Sequence, residues 1–169
     1  MIPVSPWIRK HSALLPKEHP VLDVACGTGR HSFYMQELGY DVVAVDKDTT
    51  EVIAHQPMSN ISVIEADLEN QPWPFSEQMF SGIIVVNYLH RPIFQNIFDS
   101  LVPGGVLLYD TFARGNEKFG RPRNPDFLLA PKELKTLCGE SFDVIDYFHG
   151  PITGPAPAMR QSIAAIKKP

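Results

Sequence analysis

The sequence predicts an α/β protein built on a doubly wound, mostly parallel seven-stranded sheet with a C-terminal antiparallel strand. Three observations lead there. Short apolar runs alternate with segments of helical periodicity, prolines and glycines fall between these segments, and the strands read as near-continuous Val/Ile/Leu stretches. Strands buried on both faces need helices on both sides of the sheet, joined by right-handed crossovers.

Ser5 followed by Pro6 predicts an N-cap and first helical turn, after which Trp7, Ile8, His11 and Leu15 recur at helical spacing. Residues 21–25 read as a buried strand, a glycine-rich turn follows, and a helix spans about 30–38 until Gly39 closes it. A second strand covers 41–45 and ends at Asp46, and 49–55 is a brief helix before Pro57. The third strand, 61–64, ends near Asp67. Gln71, Pro72, Trp73, Pro74 and Phe75 form a loop, because proline neither joins a central ladder nor continues a helix. Residues 80–86 are the strongest strand. Pro92 then opens a helix with Ile93, Phe94, Ile97, Phe98 and Leu101 on one face, which Pro103, Gly104 and Gly105 end. A fifth strand, 106–112, leads into a polar loop of roughly 18 residues, long for a connection between elements. Pro131 starts a helix through Leu134 and Leu137, and 142–148 with 161–166 supply a closing strand pair.

Composition narrows the function classes. A chain of 169 residues with 44% hydrophobic and 20% charged residues has the makings of one core, so one domain over 1–169 is expected. The longest aliphatic runs, such as 83–86, are far shorter than the ~18 residues of a membrane span. The opening Met-Ile-Pro-Val-Ser-Pro lacks the basic and apolar regions of a signal peptide, which makes a cytoplasmic location the expectation. Cys26 and Cys138 form no CxxC and the six histidines lack ligand spacing, so neither a disulfide nor a metal site is expected. A net charge of -4 disfavours bulk attraction to nucleic acid.

The chemistry concentrates after the first strand. Asp23, Val24, Ala25, Cys26, Gly27, Thr28, Gly29 and Arg30 end a buried strand in small residues, where a ligand can approach the backbone and meet the free N–H groups of the next helix. Nineteen residues after Gly27, at the end of the next strand, Asp46 is placed to accept the hydroxyls of a ribose. A dinucleotide fingerprint would need a third glycine where this chain has Ser32. Asp23 would also repel a pyrophosphate but attract an ammonium group. A nucleoside with an amino-acid tail suits the site better.

Residues 21–30, Asp46, Ala66-Asp67-Leu68 and Leu101-Val102-Pro103-Gly104-Gly105 resemble, in order and spacing, the motifs of class I S-adenosylmethionine-dependent methyltransferases. The resemblance runs from about residue 18 to the C-terminus and includes the closing strand pair. It implies the Rossmann-like methyltransferase fold and S-adenosyl-L-methionine as cofactor. Asp23, Gly27 and Gly29 would lie against the methionine part, with Ala25, Cys26, Lys47 and Asn87 as further contacts. Asp46 would hold the ribose, and Asp67 with Leu68 would flank the adenine. Within the family the chain looks most similar to small bacterial enzymes of the tellurite-resistance type.

The end of the fourth strand faces the reactive methyl in such folds, which makes Asn87 and His90 the catalytic candidates and Tyr88 a substrate contact. Asn87 is followed by Tyr88 and Leu89, not by the Pro-Pro-Tyr that resembles base N-methylation sites, so that chemistry is disfavoured. Arg114, Arg121 and Arg123, interleaved with Phe112, Phe119 and Phe127, are expected to wall an acceptor pocket for an acidic or otherwise electron-rich small molecule. A small-molecule methyltransferase is the leading reading. A non-catalytic S-adenosylmethionine-binding module, or methylation of a macromolecule with a partner subunit, is the alternative. A nicotinamide oxidoreductase would need a substrate domain for which there are no residues.

Overall fold

The structure, a computed structural model, describes residues 2–55 and 60–169. Pro57, read from the sequence as the stop after the third helix, lies outside the described residues.

Seven strands form one sheet: β1 (Val21–Val24), β2 (Val42–Asp46), β3 (Ile61–Glu65), β4 (Phe80–Val86), β5 (Leu101–Phe112), β6 (Phe142–Ile152) and β7 (Ala158–Lys167). Their order is β3-β2-β1-β4-β5-β7-β6, so direction of winding reverses between β1 and β4. The first five strands pair in parallel, and β7 runs antiparallel between β5 and β6. All seven residues of β4 are buried, as are all four of β1. Central strands covered on both faces have no polar side to show, which is why they read as near-continuous apolar runs, interrupted here by Asp23 and Ser81.

Helices α1 (Pro6–His11), α2 (Arg30–Glu37) and α3 (Thr50–Ala54) cover one face, packing Ile8, Met35 and Val52 onto Val42, Ala44, Ile84 and Leu108. Helices α4 (Phe94–Ser100) and α5 (Glu133–Cys138) cover the other, with Phe94, Ile97 and Leu134 against Ile83, Val85, Leu107 and Tyr109. Each of these large apolar side chains contributes about 1.5–3 kcal/mol by leaving water. Ser5 caps α1 as its sequence position predicts, its hydroxyl accepting from the N–H groups of Trp7 and Ile8 at 3.1 and 3.5 Å.

Three boundaries differ from the sequence reading. Leu101 is the first residue of β5 and pairs with Phe80, whereas pattern alone assigned it to the preceding helix. Gly82 then pairs with Val106, so Val102, Pro103, Gly104 and Gly105 bulge out of the ladder and a strand resumes beyond them. Pro131 does not start α5. Glu133 begins it, held by Arg91 and by the Ala130 N–H at 2.7 Å. The closing hairpin is longer at both strands than its apolar core, because ladder pairing persists through residues 149–152, which alternate between exposed and half-buried.

Candidate functional site

At the switch point between β1 and β4 the strand ends part, and sheets of this kind bind ligands there. Leaving β1, the chain turns through positive φ at Ala25 (52°), Gly27 (55°) and Gly29 (79°) before α2 begins at Arg30. The two glycines serve different ends. A Cβ on Gly27 would meet nothing within 4 Å, so its backbone is open to a ligand. On Gly29 it would press on Phe33 and Val52 at 3.0 and 3.1 Å, so that glycine lets α2 and α3 close over the turn.

Asp46, the last residue of β2, receives the Gly27 N–H on Oδ2 at 2.8 Å and the Asp48 N–H on Oδ1 at 3.1 Å. A carboxylate has about four acceptor positions, so it fixes the turn and keeps capacity for further donors. Ala25, Asp46, Lys47, Asp67 and Leu68, all anticipated from the sequence, line one cleft of about 270 Å³ together with Ala66, Glu69, Asn70 and Tyr88. Asp67 is committed to its own turn, accepting from the Glu69 and Asn70 N–H groups and from Asn70 Nδ2 at 2.8 Å. The Asn70 side chain, more than any other contact, holds the Asp67 carboxyl below its ordinary range.

Asp23 does not line this cleft. It is 2% exposed, and its Oδ2 accepts from Ser32 Oγ at 2.6 Å. Burial pushes its carboxyl up to about 7, against the opposing effect of the Ser32 hydrogen bonds. Cys26 is buried in the core under α2, and burial pushes its thiol far above the ordinary range, which makes it a packing residue.

A second cleft, of about 320 Å³, adjoins the first through Glu69 and Tyr88. Asn87, Leu89, Thr111, Phe112, Pro122 and Phe127 complete its lining. Asn87 adopts φ 56° and donates its N–H to the Asp110 carbonyl at 3.0 Å, which turns the chain out of β4. Tyr88 is half-buried, and its carbonyl accepts the Tyr109 hydroxyl at 2.7 Å. His90 is half-buried beside the 3-10 turn Arg91–Ile93 and lines neither cleft.

The long loop after β5 is therefore a wall, and it is pinned. Arg91 grips Glu133 with two hydrogen bonds and donates to the carbonyls of Asp126 and Leu128 at 3.0 Å, which fixes Phe127. Buried Asn116 donates to the Pro122 carbonyl and accepts from the Met159 N–H, both at 3.0 Å. The basic residues of the same loop behave otherwise. Arg114, Arg121 and Arg123, expected to face an acceptor, are exposed and stand outside the lining of both clefts, where their charges stay hydrated.

Two features escaped the sequence reading. One is Glu69, whose only signal was its place two residues past Asp67. The other is a buried network around Asp110: Oδ1 accepts from Arg160 Nε at 2.9 Å and Ser162 Oγ at 2.8 Å, and Oδ2 from Ser5 Oγ at 2.7 Å. The Ser5 N–H donates to His31 Nε2 at 3.2 Å, and burial lowers that imidazole to about 4, keeping it neutral as an acceptor requires. These residues lie up to 157 positions apart, so no local pattern marks them.

A parallel sheet with a cleft at its switch point, an open glycine backbone and an acid ending the second strand is the arrangement of nucleoside-binding α/β proteins. The methyltransferase domain family matches residues 21–105, and the chain belongs to it, within the class I S-adenosylmethionine-dependent methyltransferases. YqeM of Bacillus subtilis is 30% identical over an alignment of 121 positions that covers 64% of this chain and 48% of YqeM. The chain thus spans about half the length of the curated relatives it matches. Among solved structures it is similar to an S-adenosylmethionine dependent methyltransferase from Mesorhizobium loti, at 17% identity and a TM-score of 0.72 over 94% of this chain and 96% of that one. TehB from Haemophilus influenzae is 21% identical with a TM-score of 0.77, over 96% of this chain and 61% of TehB. These two likenesses concern the fold. Among the described residues no helix is long and apolar enough to cross a membrane.

Proposed function

We propose that the protein binds S-adenosylmethionine in the cleft lined by Asp46 and Asp67, and transfers its methyl group to a small-molecule acceptor in the adjoining cleft. The observation that carries this reading is the hydrogen bond from the Gly27 N–H to Asp46 Oδ2 at 2.8 Å. It sets a carboxylate with spare acceptor capacity beside an open glycine backbone, in a chain of this family. Asp46 would hold the ribose hydroxyls, Asp67 and Leu68 would flank the adenine, and Ala25, Gly27 and Lys47 would border the rest. Asp23 fits the amino-acid tail for a physical reason: a buried carboxyl pushed up to about 7 gains most from a cation placed nearby. Within the family, kinship with small bacterial enzymes of the tellurite-resistance type is part of this proposal.

When bound, S-adenosylmethionine supplies a methyl carbon on a positively charged sulfur. The chain's own part is alignment and exclusion of water. Asn87, turned into the second cleft at the end of β4, would orient the acceptor, while Tyr88 and Phe127 keep water from its apolar part.

Calorimetry with S-adenosylhomocysteine tests the reading. Wild type binds it and does not bind a nicotinamide dinucleotide, and Asp46→Ala loses about 1.5–3 kcal/mol, tenfold or more in affinity. Unaltered binding in Asp46→Ala would remove that carboxylate from the site.

A further inference from the structure

We infer that the second cleft takes a small, flat, apolar acceptor that carries no negative charge and donates an N–H or O–H to Glu69. This rests on the proposed function for the position of the methyl donor and goes beyond it in naming the acceptor's chemistry.

The lining carries the argument. Phe112, Pro122, Phe127, Tyr88 and Leu89 supply rings and apolar edges, and Glu69 is the one charged side chain among the lining residues. Its carboxylate sits at the junction of the two clefts, within 3.4 Å of the Tyr88 hydroxyl. A volume of about 320 Å³ lies near the lower end of the ~300–1,000 Å³ usual for ligand sites, which suits one or two fused rings. Phe127 is 49% exposed although both flanks of its turn are pinned by Arg91, so a ring is held out at the cleft with apolar surface left to cover.

The arginines that could reverse this preference are engaged elsewhere or stand outside the cleft. Arg91 is bound to Glu133 and to two carbonyls. Arg160 is buried on Asp110 behind Phe112, its guanidinium 4.7 Å from that ring's centre. Arg114, Arg121 and Arg123 are exposed and outside the lining. An anionic acceptor would meet Glu69 with no cation in the lining of the same cleft, Lys47 lying in that of the first, whereas an amine or alcohol would gain a charge-assisted hydrogen bond.

Tryptamine, tryptophol and indole-3-acetate share one ring system and end in an ammonium, a hydroxyl and a carboxylate. Each is titrated calorimetrically into the full chain, with and without saturating S-adenosylhomocysteine. Tryptamine and tryptophol bind at least about tenfold more tightly than indole-3-acetate, and Glu69→Gln narrows the tryptamine-to-acetate ratio to about threefold or less. Phe127→Ala, at a half-exposed ring whose loss leaves the core intact, weakens all three by a similar factor. Indole-3-acetate binding as tightly as the others, a ranking unmoved by Glu69→Gln, or no binding of any of the three overturns the inference. If S-adenosylhomocysteine fails to bind while the ranking holds, the cofactor reading falls, and with it the role of acceptor, while the ligand chemistry assigned to the second cleft stands. If it binds and the ranking is absent, this inference alone is lost.

Discussion

Asp23 near the end of β1 and Asp110 near the end of β5 are both buried, at 2% and 5% exposure, yet their surroundings differ. Three side chains from two distant segments, Ser5 ahead of α1 and Arg160 and Ser162 on β7, donate to the Asp110 carboxylate, and one of them is a guanidinium. The side-chain donor to Asp23 is a single neutral hydroxyl from the next helix. A carboxylate paired and fully bonded belongs to the fold. One whose side-chain partner is a neutral hydroxyl is pushed by burial up to about 7, and on the proposed function it would receive the cofactor's cationic tail.

The largest effect is expected at Asp110. Asp110→Ala leaves Arg160 buried without its carboxylate and should cost about 3–5 kcal/mol in urea denaturation. A loss below about 1 kcal/mol would erase the distinction between the two sites. At Asp23 the expected change is in binding and in pH dependence. The folded carboxyl is raised, so the stability it contributes is complete below its unfolded value of 3.8 and is lost as pH climbs through about 7. Asp23→Asn removes that decline, and urea midpoints at pH 5 and pH 8 should show the variant gaining about 1–3 kcal/mol on wild type at the higher pH. The same variant should bind S-adenosylhomocysteine about tenfold more weakly. A variant that loses ground at pH 8 would show that the ionised form is already stabilised within the fold. Smallest is Ser162→Ala, which removes one of three donors to Asp110 and should cost about 1 kcal/mol. If it matched Asp110→Ala, the network would hang on the serine and not on the ion pair.

Much of the candidate site was legible because strand ends carry their own signals. Asp46 ends an apolar run, and Gly27 stands where a strand turns into a helix, so spacing alone brought both to one edge of the sheet. Gly29 looked equivalent in sequence, and only the packing of Phe33 and Val52 against it separates the two. Leu101 fitted the apolar face of a helix. Its pairing with Phe80 overrode that periodicity, since a ladder position is set by the partner strand. The arginines of the long loop suggested an anion site by composition, but composition carries no direction, and the loop turns Phe112, Pro122 and Phe127 to the cleft and those charges to solvent.

What the sequence by itself determined is the alternation of buried strands and covering helices, the glycine turn, and the acid that closes it. These rest on contacts within a few residues or between neighbouring strand ends, where patterning and chain geometry leave few alternatives. Only the tertiary structure decided which arginines are engaged, which carboxylate is short of partners, and that Glu69 joins two clefts. Those outcomes depend on side chains far apart in the chain meeting in a low-dielectric interior, where one hydrogen bond more or less decides whether a charge is part of the fold or free for a ligand.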